Sequence, residues 1–156
     1  MKFRATTSAL LLTSLGLTTL TGCAAGRNAE TRNIRQVTDG VEKNLDAIKI
    51  RNIKVVALPD GSGTLVGFIV SHSDDADQLV GVSINGQMAQ LQGANVLNKN
   101  VPVIFEGDTA TTKAKVLALG EKAGYRVPVV FYFANAGKIE LDALIVSNTG
   151  IYSSIL

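Results

Sequence analysis

Arg126-Val127-Pro128-Val129-Val130-Phe131-Tyr132-Phe133-Ala134 runs into Asn135-Ala136-Gly137 and then into Lys138-Ile139-Glu140-Leu141-Asp142-Ala143-Leu144-Ile145-Val146. In the first arm Val127, Val129, Phe131 and Phe133 recur at every second position, the spacing that puts side chains on one face of a strand. In the second arm Ile139, Leu141, Ala143 and Ile145 turn inward while Lys138, Glu140 and Asp142 face solvent. An apolar face and a wetted face are what an antiparallel pair laid on a core requires. Asn135-Ala136-Gly137 supplies the turn residues between the arms.

The same pattern extends upstream. Ala47 to Leu58 carries Ile48 and Ile50, then Ile53 and Val55, so the alternation changes phase near Arg51-Asn52 and predicts a bulge there. Pro59-Asp60-Gly61-Ser62-Gly63 is a turn, and Leu65 to Val70 is a continuous apolar run. Leu79 to Ile84 and Gln87 to Leu91 flank Asn85-Gly86, the signal for a type I′ hairpin. That register puts Val80, Val82 and Ile84 on one core-facing side with Gln87, Ala89 and Leu91. Gln92 to Asn100 reads as loop. Val101, Val103 and Phe105 alternate across Pro102, which belongs at an edge or a strand start. Thr111 to Leu119 is a further strand, with Lys113 and Lys115 facing away from Ala114, Val116 and Ala118.

The chain has no tryptophan and few aromatics, so its core must be built of valine, isoleucine, leucine and alanine. Seven to eight strands with turn signals at short intervals predict an all-β fold, an immunoglobulin-like or cupredoxin-like antiparallel β-sandwich. A closed small barrel is the alternative. Tyr125, ahead of the Arg126 strand, is a candidate tyrosine-corner residue, with plain packing the simpler account. The tail from Asn148 to Leu156 holds Ile151, Tyr152, Ile155 and Leu156 and is expected to pack as one more strand, or else to stand as an exposed docking segment.

The N-terminal end has a different character. Lys2 and Arg4 precede an apolar stretch from Ala9 to Leu20, which ends in Leu20-Thr21-Gly22-Cys23. A spanning helix needs about 20 apolar residues, whereas about a dozen suits the core of a cleaved signal. Leu-Thr-Gly-Cys is a full lipobox, and Cys23 is the only cysteine. The expectation is a lipoprotein signal peptide over 1–22, lipid attachment at Cys23, a flexible tether through 44 and a β-sandwich domain over 45–156. Two or three acyl chains hold a protein stably where one does not. The expected location is therefore the outer face of the cytoplasmic membrane.

Charge and chemistry narrow the function further. The chain has 15 basic and 13 acidic side chains. Removing Lys2 and Arg4 with the signal cancels the formal net charge of +2 and leaves a neutral domain without pull on nucleic acid. Ser71-His72-Ser73-Asp74-Asp75 offers the parts of a serine, histidine and aspartate set, but no Gly-x-Ser-x-Gly elbow accompanies it, and an exposed loop histidine is the simpler reading. Asp74, Asp75 and Asp77 could give oxygens to calcium, but the twelve-residue loop with its closing glutamate is missing. Gly61-Ser62-Gly63 is too short to cradle phosphate. No catalytic residue, metal ligand, cofactor or small-molecule substrate is expected.

Asp77-Gln78-Leu79-Val80-Gly81-Val82-Ser83, and Gly124 through Gly137 with its Phe131-Tyr132-Phe133-Ala134-Asn135-Ala136-Gly137, resemble the periplasmic copper chaperones of the PCu(A)C type. The resemblance spans roughly Leu45 to Val146 and is similar to a branch of small actinobacterial envelope lipoproteins with that fold. It implies copper(I) held by histidine and methionine, soft donors for a soft ion. Here Gln92 stands near the position of a ligand histidine, and Lys113-Ala114-Lys115-Val116-Leu117-Ala118-Leu119 replaces the His-x-Met run. After the signal only His72 and Met88 remain, at neither motif position. The branch also implies accessory proteins of the envelope, some associated with respiratory complexes. The expected function is a membrane-anchored, non-catalytic binding or accessory module with an envelope protein partner, and the alternative is a copper metallochaperone on the outer face.

Overall fold

The computed structural model of the protein describes residues 40–156, and the stretch expected to be a signal peptide and Cys23 lie outside the described residues. Eleven strands follow in order: β1 Val41–Leu45, β2 Ile48–Ala57, β3 Gly63–Ser71, β4 Asp77–Ile84, β5 Gln87–Met88, β6 Gln90–Gly93, β7 Val96–Leu97, β8 Val103–Phe105, β9 Thr112–Val116, β10 Arg126–Phe133 and β11 Lys138–Ser147. Eight of them have four or more residues, in keeping with the seven to eight expected. The fold is all-β. β1 begins ahead of the boundary placed at 45, so 41–44 belong to the sheet and not to the tether.

The two expected layers are one sheet curled on itself, in the order β5-β4-β10-β11-β2-β3-β8-β9-β6. Its two ends, β5 and β6, are neighbouring pieces of one stretch of chain. The barrel is therefore nearly closed by covalent continuity at Ala89, and few strand edges are left unpaired. Most pairings are antiparallel. The exceptions are β8 beside β9, parallel at Phe105↔Thr112, and β11 beside β2, parallel from Leu144↔Lys54 to Ser147↔Ala57, which joins the C-terminal hairpin to the N-terminal one.

The core alternates as the sequence requires. Val127, Val129 and Phe131 of β10 and Ile139, Leu141 and Ala143 of β11 are buried with Ile50, Ile53, Leu65 and Ile69 from β2 and β3. The rings of Phe105 and Phe131 meet at 6.2 Å between centroids, tilted by 50°. The bulge stands at the expected place: the β2–β3 register shifts between Arg51 and Lys54. Asn52 takes φ 55° there. Gly67 lies opposite at φ +134°, and a Cβ on it would come 2.8 Å from the Arg51 carbonyl and 2.9 Å from that of Asn52.

Three expectations are corrected. Val80 does not point inward and is 55% exposed. β4 carries one extra residue where β10 passes from Tyr132, paired with Gly81, to Phe133, paired with Leu79. That bulge reverses the facing of everything before Gly81, so Leu79 fills the core instead. Asn85 and Gly86 do form the tight turn, at φ 50° and 77°. Its second arm pairs only through Ile84↔Gln87 and Ser83↔Met88. After Ala89 the chain crosses to β9, with Gln90↔Lys115 and Gly93↔Thr112 as the outermost pairs, so the stretch expected as loop from Gln92 is partly strand.

The third correction is the tail. It is not a strand but a single 3₁₀ turn, Gly150–Tyr152, that folds back over the outside of β2 and β3. Ile155 is buried there with Val56 and Leu58. Lys54, only 8% exposed, donates to the Tyr152 hydroxyl at 3.0 Å and forms no ion pair with any described residue. Its ammonium also stands 5.7 Å from the Tyr152 ring centroid.

Candidate functional site

The two positions where the sequence lacks soft ligands do converge. β6 and β9 pair with Gln92 opposite Lys113. Together with Gly93, Ala110, Thr111 and Thr112 these residues line a shallow pocket of about 240 Å³. What fills the place is a polar network of the chain's own groups, reaching from exposed Lys113 inward. The Lys113 ammonium lies 3.4 Å from a carboxylate oxygen of Glu106, a side chain only 6% exposed. The other oxygen of Glu106 accepts a hydrogen bond from the Thr64 hydroxyl at 3.0 Å. Glu106 reaches inward because the chain kinks where β8 ends, with φ 53° at Glu106 and 106° at Gly107.

An amide, an ammonium and a carboxylate already paired are hard groups, one of them cationic. Copper(I) prefers thioether and imidazole, so the donors present here do not fit it. Nor are the remaining soft side chains brought together. His72 is held at the start of the 72–76 loop, its ring Nδ1 2.7 Å from the Asn100 amide oxygen and its backbone N–H on the Ala47 carbonyl. Met88 belongs to β5 and is exposed, with its methyl group 2.9 Å from where a Cβ on Gly81 would stand. Among the described residues no group of three or more histidine, cysteine, aspartate or glutamate side chains is placed to hold a metal ion.

The acidic loop disperses as well. Asp74 pairs with Lys99 at 2.5 Å. The hydroxyls of Ser71 and Ser73 accept the backbone N–H groups of Ser73 and Asp75, which accounts for the loop's shape and leaves His72 without a serine partner. Asp77 is turned to a structural task that the sequence did not announce. One carboxylate oxygen accepts the N–H of Gln78 at 2.7 Å and of Asn135 at 2.9 Å, and the other accepts that of Ala136 at 2.9 Å. Burial pushes the pKa of Asp77 up, but the amide hydrogen bonds from Asn135, Gln78 and Ala136 outweigh it and hold the carboxyl below its ordinary 3.8. Tyr125, weighed above as a corner residue, is exposed.

Asp77 thus staples the start of β4 to the turn Asn135-Ala136-Gly137. The two stretches that carry the family resemblance are the two halves of one contact. Comparison with solved structures agrees with it. A copper-bound PCuAC domain from PmoF2 superposes with a TM-score of 0.58 at 20% identity, over 69% of this chain and 98% of that one. The fold is that of the PCuAC domains. An apo PCuAC domain from PmoF1 gives a TM-score of 0.59 at 20% identity, over 69% of this chain and 99% of that one. The apo PCuAC domain of PmoF2 gives 0.58 at 18%, over 70% and 98%. No family model matches the chain, and no curated protein matches it by sequence. At this identity the likeness is one of fold, and the PCuAC-like barrel carries its own side chains at the pocket between β6 and β9.

Proposed function

We propose that the protein is a lipid-anchored, non-catalytic binding module of the cell envelope, a PCuAC-like barrel that works by contact with a membrane-complex partner, respiratory or otherwise. The observation that carries the reading is the Lys113, Glu106 and Thr64 network, because a surface ammonium paired with a buried carboxylate occupies the place that the resemblance gives to soft metal donors. A buried carboxylate satisfied by its own chain has no call on an external cation. The lipobox at Cys23 supports placement at the membrane.

The test is in-cell crosslinking followed by gentle detergent extraction of the full chain. The expected result is one reproducible envelope protein among the crosslinked species. Recovery of the chain alone, from repeated preparations, would remove the reading.

A second reading, copper handling, is favoured by one observation: a neighbour with this fold is copper-bound. It is separated by titrating the purified chain with copper(I) against a competing chelator. Tight stoichiometric binding that His72→Ala or Met88→Ala abolishes would establish it in place of the first. Contact function alone expects the chelator to keep the metal.

A further inference from the structure

A second, small apolar cluster lies outside the barrel's core. Lys54, Val56 and Leu58 follow one another at every second position on the outer side of β2 and its exit, with Val66 of β3 paired to Lys54 and Val146 of β11 paired to Val56. The tail lies over this face through Tyr152 and Ile155. It is held lightly. Among the described residues, the hydrogen bonds of 149–156 stay inside the tail or reach back to Ser147 and Asn148, with one exception. That exception is the bond from Lys54 to the Tyr152 hydroxyl. Gly150, at φ 58°, is where the chain doubles back, and Thr149 before it is extended. Opening at this glycine lifts the tail and leaves β11 whole.

The tail also fits incompletely. A lysine ammonium has three donors, and among the described residues Tyr152, by its hydroxyl and its ring, is what answers Lys54, with no carboxylate beside it. Asn148 turns its amide nitrogen to the Ile155 carbonyl at 3.0 Å, and its buried Oδ1 receives no hydrogen bond. A hollow of about 500 Å³ remains where Asn148, Ile155 and Leu156 face Leu58 and Pro59. An ammonium buried without a counter-charge is disfavoured, and a carboxylate brought beside it removes that deficit.

We infer that the tail is a displaceable strap over a docking face, and that the face takes an apolar protein segment bearing a carboxylate, its Asp or Glu on Lys54 and an aliphatic side chain on Val56 and Leu58. The charge pattern selects this occupant. The cluster holds one ammonium, no acid and an apolar row beside it. No second basic side chain joins Lys54 there, whereas anionic lipid headgroups are held by basic clusters. Lys54 and Val56 stand about 7 Å apart along the strand. The acid and the aliphatic residue of the partner are therefore two positions apart in an extended segment, or four apart on a helix, where the rise is about 6 Å. This inference rests on the contact function proposed above and deepens it by naming the face and the partner's chemistry.

The test is zero-length coupling. The full chain, extracted from cells in mild detergent, is treated with a water-soluble carbodiimide, which joins an amine to a carboxylate already in contact, and mass spectrometry locates the joined lysines. Lys54 should be found coupled to an aspartate or glutamate of another polypeptide. Ile155→Ala, which loosens the strap, should raise that yield about twofold or more, because the face is then uncovered in a larger fraction of molecules. Leu156→Ala, changed at an exposed position, should leave it unaltered. Lys54→Arg keeps the charge but cannot couple, and should lose this product only. Circular dichroism checks that each variant folds, and the native chain with Lys54→Arg carries the test if Ile155→Ala does not. Coupling of a partner through exposed Lys122 or Lys138 but not through Lys54, the result expected if lipid or a small anion sits there, overturns the docking face and leaves the contact function standing. So does a yield that falls in Ile155→Ala, since the tail is then part of the interface, and so does coupling of Lys54 to a second copy of this chain. Absence of a coupled partner at every lysine removes the contact function and the docking face together.

Discussion

Asp77 shows how much one side chain settles in this barrel. Its carboxylate receives three backbone N–H groups from two distant parts of the chain, and removing it leaves those amides without their charged acceptor. Hydrogen bonds to a charged group contribute more than neutral ones, so Asp77→Ala should cost about 1–3 kcal/mol in urea unfolding at neutral pH. The pH dependence has a definite sign. Because the folded carboxyl sits below its ordinary 3.8, its contribution is complete above that value and is lost as pH falls through the folded pKa. The stability gap between the native chain and Asp77→Asn should therefore hold steady from neutral pH to about 5 and narrow below about 4. A gap that stays constant into strong acid would mean that the staple does not depend on ionisation. In the sequence Asp77 was legible only as one of three acids in a polar loop. Two of its three partners, Asn135 and Ala136, lie more than fifty residues away and donate from the backbone, which no residue pattern records.

At the scale of elements, the bulge of β2 against β3 was readable because it breaks the alternation of Ile48 and Ile50 with Ile53 and Val55. The bulge at Val80 was not, because the extra residue on β4 shows only in its pairing with β10, where consecutive Tyr132 and Phe133 face Gly81 and Leu79. The β2 bulge has a partner requirement that can be tested. Gly67 holds φ +134° against two carbonyls of the bulge, so Gly67→Ala adds both backbone strain and a clash. The expected cost is about 2–4 kcal/mol, measured by thermal or urea melting. A change under about 0.5 kcal/mol would show that β3 can shift to make room. The tail belongs to this scale too. Ile155 covers Val56 and Leu58, and the Tyr152 hydroxyl is the hydrogen-bond partner of buried Lys54, so Tyr152→Phe should destabilise by about 1–3 kcal/mol by leaving that ammonium unsatisfied. Lys54→Met in the same background should recover the loss, since a buried cation without a counter-charge is exchanged for packing.

For the whole molecule the governing question is where the barrel is held. Changing Cys23→Ala should move the protein from the membrane fraction to the medium, followed by fractionation in high salt. Protein that stays with membranes under those conditions would show that something other than lipid retains it. The PCuAC-like fold and the pocket between β6 and β9 are properties of this same scale, since Gln92 and Lys113 meet only because the chain leaves β4 at Ala89 and joins β9. The candidate positions were visible as residues lacking soft donors. Their replacement by a Lys113 and Glu106 pair was not, because no local pattern marks Glu106, whose side chain becomes buried only when β8 and β9 pack.

By itself the sequence determined the all-β class, the core faces of β2, β10 and β11 and the tight turn at Asn85-Gly86, and its Leu20-Thr21-Gly22-Cys23 motif is the ground for proposing an anchor. Each of these is a local property, fixed by a period of two, by the backbone preferences of a dipeptide or by a contiguous motif. The tertiary structure alone decided that the sheet closes through Ala89 into a barrel, that Val80 faces solvent, that the tail folds back as a 3₁₀ turn, and that Asp77 and Glu106 work inside the fold. Those outcomes depend on which distant backbone groups find each other, and the free energy of such pairings is set by geometry that no single stretch of residues contains.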